Sequence, residues 1–91
     1  MPSLHIVNKA PDHARFQTCL AAVADEDTLL LTENAVLAAV MAQGLPGTVF
    51  ALSADLEARG LAPADIMANI GRIDFAGFVS LTEATSRIIS W

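Results

Sequence analysis

The sequence has one cysteine, few charges and no long apolar run. A single cysteine closes off the internal disulfide framework that staples many small secreted domains. It fits a reducing, cytoplasmic setting. A membrane-spanning helix needs about 20 consecutive apolar residues, and no stretch approaches that length, so no membrane partner is expected. No charged segment precedes an apolar signal core either. Positive charge is scarcest of all. Five Lys and Arg stand against ten Asp and Glu, a net charge of −5, and the five are scattered singly at Lys9, Arg15, Arg59, Arg72 and Arg87. Such a surface repels phosphate backbones, which argues against direct nucleic-acid binding.

Motifs are missing too. The loop after the first apolar run reads Asn8-Lys9-Ala10-Pro11, without glycine. A dinucleotide-binding turn needs glycines there so that the backbone can approach a pyrophosphate. No Walker sequence and no G-x-S-x-G elbow occurs. His5 and His13 have no cysteine or carboxylate cluster at ligand spacing, so His5 reads as a hydrogen-bonded structural residue. No cofactor and no metal is expected.

What the chain does have is apolar content. Hydrophobic residues make up 54% of its 91 positions and charged residues 16%, against about 25% charged in ordinary soluble domains. The length suits one domain spanning residues 1–91. A domain this small buries only a little over ~60% of its unfolded surface. Little polar cover over so small a body points to partner subunits.

The apolar pattern predicts a strand at Leu4–Val7 and a helix that Asp12 caps, with Phe16, Cys19, Leu20 and Val23 on one stripe. The acidic turn 24–27 follows. Residues 28–31, TLLL, form a continuous apolar strand, as expected when both sheet faces are covered. Residues 33–44 read as a helix whose face is Val36, Leu37, Val40 and Met41 and which Gly44 stops. Pro46-Gly47 is a turn, 48–52 a third strand, and 53–60 a short helix with Ser53 as its cap. Residues 61–71 resist assignment. Residues 72–75 form a fourth strand, and 78–91 a last helix carrying Phe78, Leu81 and Ile88. This β-α alternation predicts an α/β fold, a small doubly wound and mainly parallel sheet with helices on both faces.

Three residue groups carry candidate roles. Cys19 lies two turns into its helix, beyond the amides that activate a thiol. It shares a stripe with Phe16, Leu20 and Val23, which favours an inert core thiol. Arg15, four residues back, is the one feature that favours a reactive one. Trp91, the only tryptophan, is an interface candidate, because a tryptophan at a chain end needs cover. The competing expectation folds it back onto its own core. Asp55 and Arg59, at i and i+4, are expected to form a clasp over the loop after the third strand.

Four blocks in order, LHIVNKAP (4–11), DTLLLTENAVLAA (27–39), VFALSADLEARGL (49–61) and IDFAGFVSLT (73–82), with the closing Trp91, resemble the TusB/DsrH family. The resemblance implies a DsrE-like fold and a cytoplasmic sulfur relay. TusB-like chains join TusC/DsrF-like and TusD/DsrE-like subunits in a heterohexamer. That complex takes persulfide sulfur from a TusA-like donor and hands it to a TusE-like acceptor, for 2-thiolation of the tRNA wobble uridine. The resemblance assigns the principal sulfur-carrying cysteine to the TusD/DsrE partner. The chain is thus expected to be a non-catalytic subunit. The alternatives are a DsrH-like subunit in sulfur oxidation with Cys19 as persulfide carrier, and a free-standing small-molecule-binding module.

Overall fold

The computed structural model describes residues 2–41 and 44–91. Five strands, β1 (Leu4–Val7), β2 (Thr28–Leu31), β3 (Thr48–Leu52), β4 (Ile70–Ile73) and β5 (Ile88–Ser90), form one sheet in the order β4-β3-β2-β1-β5. Every pairing is parallel. Three α-helices, α1 (Ala14–Ala22), α2 (Ser53–Ala58) and α3 (Phe75–Ala84), join a 3₁₀ helix at Glu33–Val40 and a short 3₁₀ turn at Pro63–Asp65.

The connections from β1 to β4 all step the same way across the sheet. Right-handed crossovers therefore set α1, the 3₁₀ helix and α2 on one face. The return from β4 to β5 sends α3 over the other. The main core lies on the first face, where Val7, Leu29, Leu31, Val49 and Ala51 meet Phe16, Cys19, Ala35, Val36 and Leu56. Leu29, Leu30 and Leu31 are all fully buried, as a strand covered on both sides requires.

The largest departure from expectation is β5. The segment 78–91 is not one helix: α3 ends at Ala84, and the β-branched pair Ile88-Ile89 turns into a strand. It pairs Leu4 with Ile88 and Ile6 with Ser90. That satisfies the edge of β1, which the four-strand order left open. Ile88 accordingly leaves the helical stripe shared by Phe78 and Leu81.

The other corrections are local. His13, not Asp12, caps α1, its Nδ1 accepting from the Arg15 amide at 3.0 Å. Ser53 is the first residue of α2 rather than its cap, and its hydroxyl donates to the Ile73 carbonyl at 3.1 Å. β4 begins at Ile70, so Asp74 caps α3 and Phe75 starts it. The expected helix 33–44 is a 3₁₀ helix that ends at Val40, and residues 42 and 43 lie outside the described residues. With three residues per turn, side chains three apart eclipse one another. Asn34, Leu37 and Val40 thus form one exposed row, and Ala35, Val36, Ala38 and Ala39 are buried. The predicted four-residue face was built on the wrong period: only Val36 of it is buried.

Candidate functional site

Cys19 sits midway along α1 and faces the sheet, with no exposed surface. Burial pushes its thiol from 9.0 up to about 11, because a thiolate there would lose its hydration. Arg15 is exposed on α1 and contributes nothing to that shift. It lines a surface recess of about 390 Å³ with His13, Ala14, Thr18 and Trp91. At pH 7 Cys19 is therefore a neutral thiol.

The polar centre of the molecule lies beside β1. His5 is 2% exposed, and its Nε2 meets Asp27 Oδ2 at 2.9 Å. The indole Nε1 of Trp91 donates to His5 Nδ1 at 3.1 Å. An indole N–H can only donate, so Nδ1 must be the acceptor. The His5 proton then lies on Nε2 and is donated to Asp27. The Trp91 backbone amide donates to the Ile6 carbonyl at 2.8 Å, one step beyond β5. Trp91 is half-buried and packs against the main core.

Asp27 is the anchor of this chain of bonds. The Ala24 amide donates to its Oδ2 at 3.0 Å and the Ser3 amide to its Oδ1 at 2.9 Å. These backbone donors, the Ala24 amide foremost and then Ser3, together with the His5 hydrogen bond, bring the carboxyl down from 3.8 to about 2. Asp27 looked like one more charge in an acidic turn. The signal that singles it out is position: it is the last acid before the buried strand β2. His5, which it bonds directly, and Trp91, which it reaches through His5, come together with it only through the topology, beyond reach of any local spacing.

Asp55 and Arg59 do meet, with Arg59 Nη1 3.8 Å from Asp55 Oδ1. The place they hold is not the expected loop after β3, since β3 runs straight into α2 at Ser53. Arg59 also donates to Asn34 Oδ1 at 2.9 Å, and Asp55 Oδ2 accepts from the Glu33 amide at 2.7 Å. The clasp thus ties α2 to the turn after β2. There Glu33 holds a left-handed backbone, φ +50°, a conformation that costs a residue with a Cβ about 1 kcal/mol or more. Among the described residues, no three His, Cys, Asp or Glu side chains gather as a metal site would require. None of the helices described is long and apolar enough to cross a membrane.

Comparison with known proteins places this geometry. The family model described as DsrH like protein matches residues 9–88. This chain belongs to the DsrH family. Curated proteins similar to it over nearly their whole length carry the name protein TusB. The Klebsiella pneumoniae (strain 342) protein is 33% identical over 97% of this chain and 99% of its own length. The Shigella sonnei protein is 36% identical over the same shares. The TusB/DsrH resemblance is thereby shown, and with it the sulfur-relay role of the family. Among solved structures, Tm0979 from Thermotoga maritima superposes with a TM-score of 0.74 at 27% identity, over 90% of this chain and 92% of that one. The ychN protein of E. coli superposes over the full length of both chains with a TM-score of 0.79 at 14% identity, a likeness of fold. The expected DsrE-like α/β fold is thereby shown for this chain, as the five-stranded parallel sheet described above.

Proposed function

We propose that this chain is a non-catalytic, TusB-like subunit of a cytoplasmic sulfur-relay complex that serves 2-thiolation of the tRNA wobble uridine. Its partners are TusC/DsrF-like and TusD/DsrE-like subunits in a heterohexamer. A TusA-like donor delivers persulfide sulfur to the complex and a TusE-like acceptor receives it. The observation that carries the non-catalytic role is the state of Cys19: fully buried, with its thiol raised to about 11. Sulfur transfer needs an accessible thiolate, so the transferring cysteine belongs to a partner. The TusB relatives favour the thiolation pathway over sulfur oxidation. The net charge of −5 suits a subunit that leaves the tRNA to others.

The assembly reading is supported by apolar surface beside α3. Phe75 is 70% exposed, Ile88 45% and Val79 38%, and α3 buries none of its residues. Trp91 remains a candidate contact, since part of its ring reaches solvent. Two measurements test the proposal. Incubation with a persulfidated TusA-like donor is expected to leave the mass of Cys19 unchanged, and the native thiol to alkylate far more slowly than a small-molecule thiol near pH 7. Co-expression with the TusC- and TusD-like chains is expected to yield one stable complex. Rapid alkylation with an added sulfur on Cys19 would make this subunit a carrier instead.

A further inference from the structure

Trp91 separates two recesses on the α1 side of the sheet and is a wall of both. One is the recess of about 390 Å³ beside His13 and Arg15. The other, about 530 Å³, is lined by Ser3, His5, Glu26, Asp27 and Arg87. Apolar packing against the main core holds the ring, and one polar contact orients it, the indole N–H on His5 Nδ1 at 3.1 Å. The ring planes lie 20° apart and the centroids 6.1 Å apart. An indole hydrogen lies in the plane of its ring, so this bond requires the imidazole at the indole's edge rather than under its face. The contact consequently depends on an unprotonated Nδ1.

We propose that His5 is a proton-operated latch for Trp91: the indole is docked while Nδ1 is bare and released when the imidazole takes up a second proton. In the imidazolium both ring nitrogens donate. Nε2–H keeps its acceptor, Asp27 Oδ2. Nδ1–H then faces the indole N–H, donor against donor, in a site with 2% exposure. The indole is the part that yields, because Asp27 is fixed by the Ser3 and Ala24 amides. The backbone of Trp91 stays in place through Ile6. The charges around the ring pull both ways. Asp27 and Glu26, ahead of β2, favour the imidazolium, whereas Arg87, ahead of β5, opposes it, as do Arg15 and the titratable His13 of α1 and its cap across the Trp91 ring. Release joins the two recesses into one groove and presents the indole to solvent or to a partner. The latch belongs to the isolated chain and stands whether or not Trp91 contacts a partner subunit.

One tryptophan makes the test direct. Its emission, followed on the full chain through the window of about pH 8 to 5 in which imidazoles change charge, is expected to shift to the red in a single reversible step. Far-ultraviolet circular dichroism is expected to hold constant. His5→Gln keeps an acceptor for the indole but cannot titrate, and is expected to abolish the step. His13→Gln is expected to leave it. Should His5→Gln fail to fold, the ring ¹⁵N resonances of His5 in the unmodified chain decide: the latch requires protonated Nε2 and bare Nδ1 at high pH, with the indole N–H resonance moving as Nδ1 gains its proton. A flat emission profile, a step that follows His13, or a resonance pattern with the proton on Nδ1 at high pH overturns the proposal.

Discussion

The two faces of the sheet are built to different standards. On the α1 face, three helical segments cover the strands, and Phe16, Cys19, Ala35, Val36, Leu29, Leu31 and Leu56 are all 1% exposed or less. On the α3 face the ten-residue α3 is the one helix among the described residues, and it buries none of its own residues. Leu4 and Leu30 are still fully covered there, but Phe75 and Val79 of the helix face outward, as does Ile88 of the neighbouring edge strand. One face stabilises the subunit, and the other has apolar area left over for association. An interface formed there would add little to the fold of the lone chain and much to the complex.

Truncation sharpens that contrast most. Leu31→Ala or Leu56→Ala on the α1 face is expected to cost about 2–5 kcal/mol of folding stability, read by chemical denaturation. Phe75→Ala is expected to stay within about 0.5 kcal/mol in the isolated chain, yet to weaken binding of the TusC- and TusD-like subunits at least about tenfold. Equal stability losses at Leu56 and Phe75 would erase the distinction.

Gly47 comes next. It adopts φ +74°, and a Cβ there would meet the Asp27 carbonyl oxygen at 2.5 Å. Gly47→Ala is expected to cost more than about 1 kcal/mol, visible as a lowered Tm, because the same carbonyl accepts the Thr48 amide that begins β3.

Titration tests the same face. The Asp27 carboxyl is lowered from 3.8 to about 2, so its contribution is present above its unfolded value and lost as pH falls from about 4 through 2. Cys19 has the opposite sign. Its thiol is raised from 9.0 to about 11, so its contribution is intact below 9 and lost as pH rises toward 11. Denaturation midpoints are expected to fall at both ends. Asp27→Asn should flatten the acid limb and Cys19→Ala the alkaline one.

The smallest expected effect is at the clasp. Arg59→Ala is expected to lower stability by about 0.5–1 kcal/mol, more than a solvated ion pair alone would give, because Arg59 also donates to Asn34. A loss below that range would leave only an ordinary surface pair.

Much of this molecule was legible from local pattern. The strands at 4–7, 28–31 and 48–52, the α1 stripe and the parallel order follow from apolar runs between turns. What escaped has physical causes. The 3₁₀ helix carries the same alanines and valines as an α-helix, and only its packing selects period three. β5 is three residues long and exists because β1 offers an open edge 80-odd residues earlier in the chain, and a window of local sequence contains no record of that. Of the site residues, Cys19 could be placed in the core from its stripe. His5 was read as hydrogen-bonded without a partner in view, since Asp27 and Trp91 reach it only after the sheet has closed.

Asp27 also answers a question about sliding. The runs Leu4–Val7 and Thr28–Leu31 hold interchangeable aliphatic side chains, and three consecutive leucines offer a neighbouring strand no reason to prefer one alignment. A shift of β1 by one residue would carry His5 to the opposite side. A shift by two would set Val7 or Ser3 against a carboxylate that needs a donor. Only the observed alignment, with Leu4 across from Thr28, gives the Asp27 side chain both the Ser3 amide and the His5 ring. A polar side chain at the mouth of a greasy strand pair thus selects one alignment among several that hydrophobic burial alone would leave nearly equal in energy.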